Sequence, residues 1–106
     1  MVFGLFRDDG LDNFAREMAR ELSSRVPLDT LDAERAANPK FKATLTRALQ
    51  HLFGQAQGYC RDHSVGLLKK ARLSKIFQDE LVGLGYPKDF VREVTLVLTE
   101  QMTQAG

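Results

Sequence analysis

The sequence has very few of the residues on which common kinds of site depend. Among its 106 residues there are one cysteine, Cys60, and no tryptophan. One cysteine cannot form a disulfide within the chain, so nothing indicates an oxidising compartment. No stretch approaches the roughly 20 apolar residues that a membrane-spanning helix requires. The apolar N-terminal tail, residues 1–8, has no basic region before it and is short for a signal peptide. We therefore expect a cytoplasmic protein without a membrane span.

The motifs of catalysis and metal binding are also missing. There is no phosphate-binding glycine loop, no zinc-protease helix motif and no nucleophile elbow. Cys60 and His63 are three residues apart and share one helix face. Zinc requires three or four ligands, and the sequence offers no second Cys/His pair. We expect no metal, no cofactor and no catalytic residues. An enzyme whose site is assembled from distant residues stays as a secondary alternative.

Charge is balanced overall but is distributed unevenly along the chain. The net charge is +1, yet residues 1–38 carry five basic and eight acidic side chains. Residues 39–75 carry eight basic and one acidic, and residues 76–106 carry two basic and five acidic. This pattern has two interpretations: either the segments neutralise one another when the helices pack, or the central segment presents a basic face to an acidic partner.

Apolar residues recur at steps of three and four in four separate segments, which predicts an all-α fold. The apolar residues of these segments lie between residues 11 and 22, 41 and 63, 67 and 84, and 90 and 102, with a connector over residues 28–38. Val94–Thr99 is rich in β-branched residues, but no second strand exists to pair with it. The prediction is one domain, residues 1–106, forming a compact bundle of about four helices with short connections. Its predicted core consists of Phe14, Met18, Leu45, Leu49, Leu52, Phe77, Leu81, Phe90, Val94 and Leu98.

Several residues predict where the helices begin and end. Asn38 is a good N-cap, and Pro39 suits the first helical position because its missing N–H would have no partner there. Residues 64–66 should end or bend the second helix. Gly85 predicts a left-handed C-terminal cap for the third helix, and Pro87 prevents its continuation.

The third segment carries more apolar residues than one helix face can bury. One stripe consists of Leu73, Ile76, Phe77, Leu81 and Leu84, whereas Leu67, Leu68 and Ala71 project to a different side. Either the helix breaks near Lys69–Lys70 and both sets reach the core, or the second set lies on an interface. We expect the second arrangement, with Leu67, Leu68 and Ala71 contributing to a homodimer or a stable complex with another protein.

Gly54 and Gly58 form a pair of small residues one turn apart on the second helix, roughly opposite its apolar stripe. Such a pair lets another helix approach closely, although the motif is established mainly in membranes. We count both as candidate contacts for a partner. The competing interpretation is a tolerated weakness of the helix, since each glycine costs up to about 1 kcal/mol relative to alanine.

The densest cationic cluster, Lys69, Lys70, Arg72 and Lys75, is the candidate nucleic-acid site. On one helix these four side chains point around the axis, whereas a surface that follows phosphates would favour a stripe. The function predicted from the sequence is therefore a small non-catalytic interaction or regulatory protein that binds a protein partner through an exposed helix face. A nucleic-acid accessory protein that uses residues 39–75 is the first alternative.

Overall fold

Helices make up most of the chain that the computed structural model describes, which is residues 9–28, 31 and 38–105. Four α-helices follow one another in these residues: α1 Asp9–Arg25, α2 Pro39–Asp62, α3 Leu67–Gly83 and α4 Lys88–Ala105. The same residues contain no β-strand, and Val94–Thr99 lies within α4. The predicted all-α bundle is confirmed. The N-terminal tail, residues 1–8, and most of the predicted connector lie outside the described residues.

The longest helix, α2, begins and ends where the sequence predicts. The side-chain oxygen of Asn38 accepts a hydrogen bond of 2.9 Å from the backbone N–H of Lys40, and Pro39 occupies the first turn. At the other end Ser64 takes a left-handed conformation, with φ of 50°. Val65 follows it and is buried, so the chain turns back onto the bundle immediately after the helix.

The third helix ends in a Schellman motif built around Gly85. The N–H of Tyr86 donates to the carbonyl oxygen of Leu81 at 3.2 Å, and the N–H of Gly85 donates to that of Val82 at 3.0 Å. These two bonds satisfy carbonyls that the helix leaves without partners. Gly85 has φ of 96°, a backbone conformation that residues with a Cβ atom rarely adopt. The predicted left-handed cap is confirmed.

The helices form two parallel pairs. α1 packs mainly on α3, α3 on α4 and α4 on α2, whereas α1 and α2 share a smaller contact. Near the starts of α1 and α3 Asp12 binds Arg72, and near their ends Arg20 pairs with Glu80, so these two helices are parallel. α2 and α4 are also parallel, because the short turns after α2 and after α3 each reverse the chain. No helix in the described ranges is both long and apolar enough to cross a bilayer.

The core lies between the two pairs, and every helix contributes to it. Six of the ten predicted core side chains are buried, namely Met18, Leu52, Phe77, Leu81, Val94 and Leu98. The other four, Phe14, Leu45, Leu49 and Phe90, are partly buried and pack against the core from its edge. Two apolar residues outside the predicted core are exposed, Leu84 at 39% and Val97 at 40%. Leu84 lies just beyond the end of α3, and Val97 faces an open groove beside α2.

The third helix is continuous from Leu67 to Gly83, so the alternative of a break near Lys69–Lys70 is wrong. Leu73, Phe77 and Leu81 are fully buried on one side of it. Leu67, Leu68 and Ala71 are exposed and lie apart from the core, because a straight helix presents only one broad stripe to its neighbours.

Candidate functional site

The start of α3 exposes two large apolar side chains next to each other. Leu67 is 77% and Leu68 86% exposed, and Ala71 follows one turn later, also exposed. We call these three residues the leucine patch. Single exposed leucines are ordinary, but an adjacent pair continued along the helix forms a contiguous apolar surface. The first turn of α3 contains no acidic residue, and its N-cap, Gly66, provides no side-chain hydrogen bond.

Two of the four candidate nucleic-acid residues are paired with acidic side chains of the same chain. Arg72 donates to both carboxylate oxygens of Asp12, from Nε and Nη2, each at 2.8 Å. The Lys75 ammonium lies 3.0 Å from the Asp79 carboxylate. Both acids belong to the acidic segments that flank the basic one, so part of the central charge is neutralised within the molecule. Lys69 and Lys70 lie in the first turn of α3, beside the leucine patch.

Cys60 and His63 share a helix face in the sequence but have different surroundings. Cys60 is buried, and burial raises the pKa of its thiol, an effect that the nearby Lys70 ammonium partly offsets. His63 is exposed and its ring stacks on that of Tyr59, with the ring centroids 4.1 Å apart. Over the described part of the chain no three His, Cys, Asp or Glu side chains are arranged to hold a metal ion.

An acidic groove of about 390 Å³ separates α1 from α2. Phe14 stacks on Tyr59 with centroids 4.2 Å apart, which continues the aromatic contact with His63. The carboxylates that line the groove belong to Glu17, Glu21 and Asp62. The Glu21 carboxylate already accepts from Arg25 at 3.1 Å and lies 3.4 Å from the ring Nε2 of His51.

An uncharged groove of about 430 Å³ separates α2 from α4. It is lined by Thr46, Leu49, Gln50, Phe53, Gly54, Gln57, Val97 and Gln101. The Gln57 side-chain amide crosses the groove and donates to the backbone oxygen and to the side-chain oxygen of Gln101, at 3.2 and 2.9 Å. Leu49, Phe53 and Val97 give the groove its apolar surface. We call it the α2–α4 groove.

The two glycines on α2 line different grooves. Gly54 borders the α2–α4 groove, whereas Gly58 borders the acidic groove on the other side of α2. A Cβ atom placed on either glycine would meet nothing within 4 Å. Neither position is therefore needed for helix packing within the chain, and both stay candidate contacts for a partner.

The sequence contained a signal for the α2–α4 groove that periodicity did not reveal. From Ala48 to Cys60, α2 carries no Asp, Glu, Lys or Arg, and α4 carries none from Val94 to Thr99. A helix at the surface normally carries charged residues on its outer face. The two uncharged stretches lie side by side in the fold, and their coincidence marks this surface.

Comparison of the chain with protein-family models, with curated proteins and with solved structures found no match. The function is therefore inferred from the residues and geometry described above.

Proposed function

We propose that this chain is a non-catalytic interaction protein that binds a protein partner through the leucine patch. The observation that carries the proposal is the exposure of Leu67 and Leu68, at 77% and 86%. Fully burying a leucine side chain stabilises a complex by roughly 1.5–3 kcal/mol. Two adjacent leucines therefore provide a substantial part of the free energy of binding if a partner covers both.

The charges around the patch favour a partner with an acidic margin. Lys69 and Lys70 lie in the same turn as the leucines. The start of α3 also has the positive end of the helix dipole, and its first turn contains no acidic residue. Carboxylates on the partner would be attracted to this end of the helix. A second copy of the chain fits less well here, because it would bring the lysines of two copies together.

The proposal is tested by replacing Leu68 with glutamate. Tagged wild-type protein and the Leu68→Glu variant are used to capture proteins from extract of the source cells with and without nuclease treatment, and each captured protein is purified for titration. Val82→Glu is the matched control, since Val82 is 43% exposed at the opposite end of the same helix. We expect Leu68→Glu to raise the dissociation constant of the true partner by about tenfold or more and Val82→Glu to leave it near the wild-type value.

Because Leu68 lies in solvent, the substitution should leave the helical circular dichroism spectrum and the melting temperature unchanged. Partners that bind wild type and Leu68→Glu with equal affinity would contradict the proposal. Capture that disappears on nuclease treatment would favour the nucleic-acid alternative instead.

A further inference from the structure

The α2–α4 groove is a second surface with no cover among the described residues, and its chemistry differs from that of the leucine patch. We infer that a second copy of this chain docks in this groove, so that the protein forms a symmetric dimer through α2 and α4. The inference is independent of the proposed function, which uses the start of α3.

The lining of the groove favours contact with an identical surface. Its eight lining residues include no charged side chain, and interface cores are depleted in charge. Gln50, Gln57 and Gln101 carry amides, each of which is both a donor and an acceptor, so an amide on α2 of one copy can pair with a polar group on α4 of the other. Leu49, which is partly buried, and Val97, which is 40% exposed, supply apolar area that water now reaches, and the buried Phe53 lies beneath them.

The charges that border the groove are of opposite sign on its two helices. On α2 the flanking charged residues are basic, with Lys42 one turn before Thr46 and Arg61 one turn after Gln57. On α4 they are acidic, with Glu93 one turn before Val97 and Glu100 just after it. All four are exposed. A two-fold axis that places α2 of one copy over α4 of the other brings bases onto acids in both halves of the contact.

Neither the acidic groove nor the leucine patch allows this pairing. Two copies joined at the acidic groove would bring Glu17 and Asp62 of one protomer against those of its partner. Two copies joined at the leucine patch would bring lysines together. Gly54 further favours the α2–α4 groove, because its open Cβ position leaves room for the partner's backbone.

The first test is the dimer dissociation constant of Val97→Lys, measured by sedimentation equilibrium. The new ammonium would be buried against Leu49 and Phe53 and would face the basic margin of the partner's α2, so we expect the constant to rise by about tenfold or more. Val82→Lys is the matched control, because the two valines are 40% and 43% exposed. It should retain the wild-type constant.

The second test uses charge sign at one position and does not depend on apolar packing. Gln50→Glu is nearly isosteric and places a carboxylate opposite the acidic margin of the partner's α4, so it should weaken the dimer by about fivefold or more. Gln50→Lys places the opposite charge at the same site and should keep or tighten the wild-type constant. Gln55→Glu, an exposed change on the other side of α2, should have no effect.

Wild type that stays monomeric over about two decades of concentration would overturn the inference. So would a dimer that Val97→Lys and Gln50→Glu leave intact, or one that Gln50→Glu and Gln50→Lys weaken equally. Leu68→Glu should leave this dimer unchanged while it removes the proposed partner. Loss of the dimer in Leu68→Glu would place self-association at the leucine patch and overturn the groove contact.

Discussion

The two parallel helix pairs of this bundle are closed in different ways. The α1–α3 pair is sealed, because Leu11, Ala15 and Leu22 are fully buried and ion pairs link the two helices near each end. The α2–α4 pair is open, with Leu49 only partly buried, Val97 exposed and a pair of glutamines across the gap.

The difference shows where this chain uses its charges. Along α1 and α3, acids and bases from distant segments meet within the molecule and fix the register of the two helices. The facing stretches of α2 and α4 contain no charged side chains that could fix their register, and apolar side chains remain at the surface. A sealed seam stabilises the protomer, whereas an open, uncharged groove is suited to binding.

The largest expected effect is on the free energy of unfolding, and it compares a leucine buried in the α1–α3 pair with a leucine partly exposed in the α2–α4 pair. Leu22→Ala in the sealed pair should lower the free energy of unfolding by about 2–5 kcal/mol, because the side chain is fully buried. Leu49→Ala in the open pair should cost less than about 2 kcal/mol, since water already reaches that side chain. Urea denaturation of samples diluted below the concentration at which the inferred dimer would form measures both.

Equal costs for the two substitutions would mean that the α2–α4 groove is closed in solution. A cost of Leu49→Ala that grows with protein concentration would sharpen the comparison, because a second copy would then bury the same side chain.

A smaller effect concerns the ion pair that holds α1 on α3. Arg72→Met should destabilise the protein by about 1–3 kcal/mol, because Asp12 loses a bidentate, charge-assisted partner. The Asp12 side chain is only 10% exposed, so water replaces the guanidinium poorly. The measurement is again the urea midpoint at constant slope.

Lys75→Met is the control for this prediction. Its ion pair with Asp79 lies at the surface, where both side chains are more than half exposed, and such pairs contribute about 0–0.5 kcal/mol. A double-mutant cycle with Asp12→Asn isolates the Arg72 contact from other effects of each substitution. If Arg72→Met and Lys75→Met lower the free energy of unfolding by the same small amount, the ion pair of Arg72 with Asp12 does not stabilise the contact between α1 and α3.

Much of the fold could be predicted because its signals are local. Asn38, Pro39 and Gly85 act on backbone groups within a few residues, and the apolar period identifies the buried face of each helix. The arrangement of the helices could not be predicted, because it depends on contacts such as Asp12 with Arg72, which are distant in sequence. The exposure of Val97 follows from that arrangement and not from the pattern within α4.

The candidate sites were predictable to different degrees. Leu67, Leu68 and Ala71 could be identified because one straight helix cannot bury two faces, and the structure leaves them exposed. The α2–α4 groove was missed because Leu49 and Val97 fit the apolar period as core residues do. Periodicity shows which residues share a face, but it does not show whether a neighbouring helix covers that face completely.

The smallest expected effect tests whether Gly54 belongs to the open groove or to the stability of α2. Within the protomer a Cβ at Gly54 or Gly58 meets nothing, so alanine at either position should stabilise α2 by about 0.5–1 kcal/mol through the lower entropy of the unfolded chain. In dilute samples both variants should therefore melt about 2–8 °C higher than wild type. The two should differ when the protein is concentrated, because only Gly54 borders the surface to which the second copy is assigned. There Gly54→Ala should weaken the dimer, while Gly58→Ala should leave its dissociation constant unchanged. Two alanine variants that dimerise equally well would show that the groove does not need its glycine. A lower melting temperature for Gly54→Ala alone would show instead that α2 requires glycine at this position for its own packing.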